Sequence, residues 1–113
     1  MPDSPQKSRP KRVRIVVEKV PVSPETGPCS IHREGQEFTF DFERCPAHFC
    51  AAAFHSIWPH LRVVELGGRH PWDKEQGVTH VCCPDPTKPV IFKIVAEDME
   101  AEVIPDRSVL TTS

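Results

Sequence analysis

Cysteine is the residue type that frames the chemistry open to this chain, which carries five of them among 113 residues, with six histidines and no tyrosine. Tyrosine is therefore unavailable as an acid or an oxyanion donor. The cysteines fall at Cys29, Cys45, Cys50, Cys82 and Cys83. None of these spacings is CxxC, so the zinc-ribbon and thioredoxin signatures are absent and any shared site has to be assembled from distant segments. Cys29, Cys50 and one of Cys82 or Cys83 form the candidate cluster. Three readings stand side by side. Thiolates favour zinc, iron or copper as soft or borderline metals. One thiolate near the positive end of a helix, at Cys50, would be a reactive nucleophile. Buried free cysteines also serve simply as small apolar side chains.

Cys82 and Cys83 are adjacent on an expected strand, so they point to opposite faces and only one of them reaches Cys50 unless a bulge intervenes. His80 lies on the Cys82 face and is the histidine with a candidate role, as ligand or proton carrier. His32, His60 and His70 fall in loops or near breaks, where exposed histidines are ordinary. Asp85, directly after the cysteines, and Asp73, beside Trp72, are candidate general acids, with turn formation the plainer role for Asp85. GxGxxG, Walker, GxSxG and HExxH patterns are all missing, which removes support for nucleotide-binding and serine-hydrolase chemistry.

The elements that must position these groups are short, because thirteen prolines are about twice the typical share of roughly 5%. Arg12–Val20 alternates, with Val13, Ile15 and Val17 on one side. Gln36–Phe42 alternates as well, placing Phe38, Phe40 and Phe42 on one face as the floor of a core. Cys45-Pro46 would open a helix, since proline suits the first helical position. Its apolar stripe would run through Cys50, Phe54, Ile57, Trp58 and Leu61 until Pro59 ends or kinks it. Leu61–Leu66 is then expected as a short strand, followed by a loop and a hairpin of Val78–Cys83 and Val90–Glu97. The expected fold is α+β: one helix packed on a twisted, mostly antiparallel sheet or a small open barrel.

Length allows one domain, placed at 12–98, between a basic tail read as disordered at 1–11 and an acidic tail at 99–113. The net charge of -2 excludes binding to nucleic acid by bulk charge alone. No apolar run approaches the roughly 20 residues that span a bilayer, and Met1 to Arg14 lacks the apolar stretch of a secretory signal. A cytoplasmic setting with free thiols or metal-bound cysteines is the expectation.

Several motifs in order resemble a family of small, functionally uncharacterised prokaryotic proteins. They are Cys29 with Glu34-Gly35-Gln36-Glu37-Phe38, Phe49-Cys50 opening the helix, Gly67-Gly68 with Pro71-Trp72, and Cys82-Cys83-Pro84-Asp85 with Pro89-Val90-Ile91-Phe92-Lys93-Ile94. The resemblance spans about Arg12 to Glu97 and implies that Cys29, Cys50, Cys82 and Cys83 are the characteristic cysteines, while naming no reaction. Where relatives carry tryptophans after the helix cysteine, this chain has Ala51-Ala52-Ala53, small residues that would open a cavity beside Cys50.

The leading expectation is a cysteine-site module, metal-binding or thiol-redox, whose partner is a metal ion or small molecule. The alternative is a cofactor-free enzyme acting on an apolar small molecule in a pocket of Phe38, Phe40, Phe54, Trp58 and Trp72, with a homo-oligomer as the means of enclosing it. A structural, partner-binding subunit with inert buried cysteines is the third reading.

Overall fold

A computed structural model describes residues 9–22, 24–25 and 27–97. Most of the expected basic tail and all of the acidic one lie outside the described residues. Among the described residues, four strands and one helix follow in the order β1 (Arg12–Lys19), β2 (Glu37–Phe40), α1 (Ala51–Glu65), β3 (Val78–Cys82) and β4 (Ile91–Glu97). The strands form one open antiparallel sheet in the order β2-β1-β4-β3. This is the expected α+β class, as an open sheet rather than a closed barrel.

Period-two alternation decides which side of the sheet is covered. Val13, Ile15 and Val17 of β1, Phe40 of β2, Val81 of β3 and Phe92 and Ile94 of β4 are all buried on one face. The helix supplies Ala53, Ile57, Leu61 and Val64 to the same core, a spacing that keeps one helical stripe against the sheet. Full burial of a side chain such as Ile57 or Leu61 contributes roughly 1.5–3 kcal/mol. Phe38 and Phe42 are half-buried beside Phe40 rather than fully inside. The opposite face is lined by charge pairs, Arg14 to Glu97 at 3.2 Å and to Glu37 at 3.6 Å, a class of exposed contact worth at most about 1 kcal/mol each.

The helix differs from its sequence expectation at both ends. It starts at Ala51, with Cys50 as N-cap in extended conformation, and not at Pro46. His48 just upstream sits at φ 66°, a left-handed geometry that a right-handed helix cannot include. Pro59 does not end the helix either. It lies inside α1 on the exposed side, so the His55 carbonyl that loses its helical donor is left toward water. The stripe Ile57, Leu61 and Val64 runs past it on the buried side and outweighs a proline cost of about 3 kcal/mol. Leu61–Leu66 is accordingly helical and capping sequence, not a strand, which leaves four strands instead of five. Termination comes from Gly67 at φ 80°. The amides of Gly67 and Gly68 donate to the carbonyls of Val64 and Val63 at 3.1 and 2.8 Å, the usual glycine-dependent closure of a last turn.

Candidate functional site

Cys29, Cys50 and Cys83 come from a loop, the N-cap of α1 and the position just after β3, and together they line one cleft of about 180 Å³. Ala52, Ala53, Asp85 and Lys88 complete its walls, so the small residues after Cys50 do border a cavity beside that thiol. The strand pleat settles which neighbour joins them. Thr79 and Val81 face the core, while His80 and Cys82 are exposed. Cys83 therefore falls on the helix side and Cys82 on the other.

His32 holds this arrangement together. It is only 2% exposed, wedged among Phe38, Phe49 and Phe92 at ring-centre distances of 4.9–5.6 Å. Its Nε2 accepts the Cys50 amide at 3.3 Å, and its Nδ1 meets Gln36 Oε1 at 3.0 Å. An amide oxygen only accepts, so Nδ1 carries the proton and Nε2 the lone pair. The His32 amide in turn donates to Cys29 Sγ at 3.4 Å, as does that of Ile31. One buried residue thus ties the Cys29 loop to the helix cap that presents Cys50.

The other sulfurs are also engaged by backbone. Cys83 Sγ accepts from the Val90 amide at 3.2 Å and lies 3.4 Å from the Lys88 carbonyl. The cleft opens on the first turn of α1, whose amides have no acceptor within the helix and form its positive end. Among the described residues, no group of three or more His, Cys, Asp or Glu side chains is placed to hold a metal ion. As arranged, the thiols line a shared space without forming a ligand set for zinc, iron or copper.

Asp85 anchors the turn beneath the cleft. Its Oδ1 accepts from the Thr87 hydroxyl at 2.8 Å and the Thr87 amide at 2.9 Å. The Thr87 side-chain and backbone donors hold its carboxyl below the ordinary value, which suits a turn anchor better than a proton donor near neutrality. Cys82 is exposed and donates to the Cys83 carbonyl; partial burial and the adjacent Cys83 push its thiol up. His80 Nε2 lies 3.1 Å from Glu18 Oε1 on the open face.

Of the five aromatic residues expected in one pocket, Phe40, Phe54 and Trp58 do meet, with Phe49 and Cys45, around a groove of about 490 Å³. Phe38 instead packs on Phe49 and His32. Trp72 lies elsewhere, its indole N–H donating to Thr79 Oγ1 at 3.1 Å and the His80 carbonyl at 3.0 Å.

Sequence reasoning missed the loop network around Trp72. His70, 8% exposed, sits with Nδ1 3.2 Å from Asp73 Oδ2, a carboxylate only 5% exposed. His60 of α1 places Nδ1 3.0 Å from His70 Nε2. The available signal was the three-residue step from His70 to Asp73 inside a short Gly-Gly and Pro-Trp loop. His60 gave none, because the helix was expected to stop before it.

These features define a small α+β domain with a thiol-lined cleft at the start of α1. No protein-family model, curated protein or solved structure matches the chain, so the reading of its function rests on this geometry. No helix among the described residues is long and apolar enough to cross a membrane.

Proposed function

We propose that this chain is a thiol-redox module working through Cys29, Cys50 and Cys83. The observation that carries the reading is the assembly of three cysteines from three distant segments around one cleft. Cys50, at the N-cap of α1, is the attacking thiol of this scheme, and backbone amides donate to the sulfurs of Cys29 and Cys83 on the same cleft. In exchange with a small disulfide, Cys50 sulfur attacks one sulfur and forms a mixed disulfide while the first ligand thiolate leaves and takes a proton. A second cleft cysteine then attacks Cys50 sulfur and releases the second ligand thiol. Two protein thiols are oxidised to one disulfide and the ligand disulfide is reduced to two thiols. A cytoplasmic, reducing setting is the compartment in which such exchange is reversible.

The test is to treat anaerobically purified full chain with oxidised glutathione and map the products by mass spectrometry, with elemental analysis of the same sample. Expected are an intramolecular disulfide within the set Cys29, Cys50 and Cys83 and its loss in Cys50→Ser. Near-stoichiometric zinc, iron or copper that protects the thiols until a chelator is added would replace this reading with a metal centre. Modification confined to Cys45 and Cys82 would refute both.

A further inference from the structure

A second group of chemically capable side chains lies away from the cysteine cleft, where the helix surface meets the edge strand β3. One end of it is the Asp73 carboxylate, whose side chain is 5% exposed. Oδ2 accepts the His70 amide at 2.8 Å, and Oδ1 accepts the Thr79 hydroxyl. Carboxylates only accept, so His70 Nδ1, 3.2 Å from Oδ2 and 3.1 Å from Thr79 Oγ1, carries its proton toward them. In neutral His70 the Nε2 is then a lone pair, and the His60 Nδ1 that faces it at 3.0 Å is the donor. Each step fixes the next tautomer. The chain leaves His60 Nε2 as a lone pair on the ring that borders a cleft of about 370 Å³, shared with Trp72, His80, Val81, Cys82 and Ile91.

We propose that His60 is the proton acceptor of a second site, which binds a small planar molecule bearing a weakly acidic hydroxyl, of the phenol class. Trp72 supplies an aromatic wall. Its ring stacks on His70 at 4.6 Å between centres and is held by the two hydrogen bonds of its indole N–H. Val81 and Ile91 supply an apolar floor. When a ligand hydroxyl gives its proton to His60 Nε2, His60 passes its Nδ1 proton to His70 Nε2. The positive charge then rests on His70, between the His60 ring and the Asp73 carboxylate, and the ligand remains as its oxyanion. No oxidant, metal or further reactant enters the balance. Through its other nitrogen the relay fixes the tautomer of His60 and gives the transferred proton a place on His70, beside the Asp73 carboxylate. Asp73 and His70 are positioning residues in this scheme. The other ionisable groups facing the cleft are His80, paired with Glu18, and Cys82.

The probe is para-nitrophenol, whose phenolate absorbs visible light and whose phenol does not. The full chain is titrated with it at a pH below the free probe's own pKa. The expected result is a phenolate band that saturates with protein, disappears in His60→Gln, persists in Cys50→Ser and weakens by roughly tenfold or more in Asp73→Asn, the size expected for losing a hydrogen bond to a charged group. Long-range proton–nitrogen NMR on the wild-type chain reads the tautomer directly and does not depend on any variant folding. His60 protonated at Nδ1 supports the relay. His60 protonated at Nε2, no phenolate band at saturating probe, or an undiminished band in His60→Gln overturns it. Persistence of the band in Cys50→Ser separates this site from the thiol cleft.

Discussion

Replacing His32 by phenylalanine isolates the hydrogen bonds of the residue that ties the Cys29 loop to the helix cap. Phenylalanine keeps the ring among Phe38, Phe49 and Phe92, so little packing is lost. The His32 amide still donates to Cys29 Sγ, and Gln36 Oε1 still accepts the Arg33 amide at 3.0 Å. The one group stranded is the Cys50 amide, which now donates to His32 Nε2. Leaving a part-buried backbone N–H without its partner costs about 1–3 kcal/mol, so His32→Phe should destabilise the domain by about 2 kcal/mol. For a domain of this size that is a fall in Tm of roughly 8–16 °C. Calorimetry measures it, and alkylation kinetics at Cys50 should accelerate in parallel as the helix start frays. A variant within about 0.5 kcal/mol of wild type, with unchanged Cys50 labelling, would show that the ring serves only as packing.

Other perturbations address the rest of the molecule. Pro59→Ala restores an amide donor to the His55 carbonyl within α1 and relieves the ring clash; set against the loss of proline's restraint on the unfolded chain, the net gain should be about 2 kcal/mol, read from urea midpoints. Stability should also fall with acidification in two stages. His60 is held below its ordinary value near 6.5 by burial first and by His70 second, against the opposing pull of Asp73. The unfolded chain therefore binds that proton first, and this share of stability is full above pH 6.5 and declines below it. Burial pushes the Asp73 carboxyl up, but hydrogen bonds from Thr79 and His70 outweigh it and hold it below 3.8. That share is lost as pH drops from 3.8 through the folded value. Urea midpoints across the acid range should lose the upper stage in His60→Gln and flatten in the lower stage in Asp73→Asn, where Asp41 and Asp85 also contribute.

The sheet was legible because alternation states a face directly. Val13, Ile15, Val17, Phe92 and Ile94 each lie on the side their pattern implies. Alternation also implies opposite faces for Cys82 and Cys83, and the position of the helix puts Cys83 on the cleft that Cys50 lines while Cys82 stays exposed. The helix was misread because local proline chemistry was given more weight than the stripe continuing through Leu61 and Val64. Misplacing that end hid His60 in a break and made His70 look like an ordinary loop residue. Burial of a loop histidine depends on what folds over it, and His60 and His70, ten residues apart, meet only because α1 runs on past Pro59. The aromatic pocket failed in part for a related reason: apolar rings are interchangeable to a composition argument, whereas the Trp72 indole N–H is tied to Thr79 and the His80 carbonyl at the far edge of the sheet.

The sheet order has a consequence for the moment of synthesis. β4, the last strand among the described residues, sits between β1 and β3 and pairs with both. Until it leaves the ribosome, β1 has only the short β2 as a neighbour, and a two-stranded ribbon is marginal in water. Joining Arg12 to Glu97 closes a loop that spans nearly the whole domain, an entropic cost that nothing earlier in the chain offsets. The four-stranded sheet therefore stays open until β4 emerges. Through that interval all five cysteines are unshielded, so the redox state of the surroundings acts on the thiols before the fold has brought Cys29, Cys50 and Cys83 to one place.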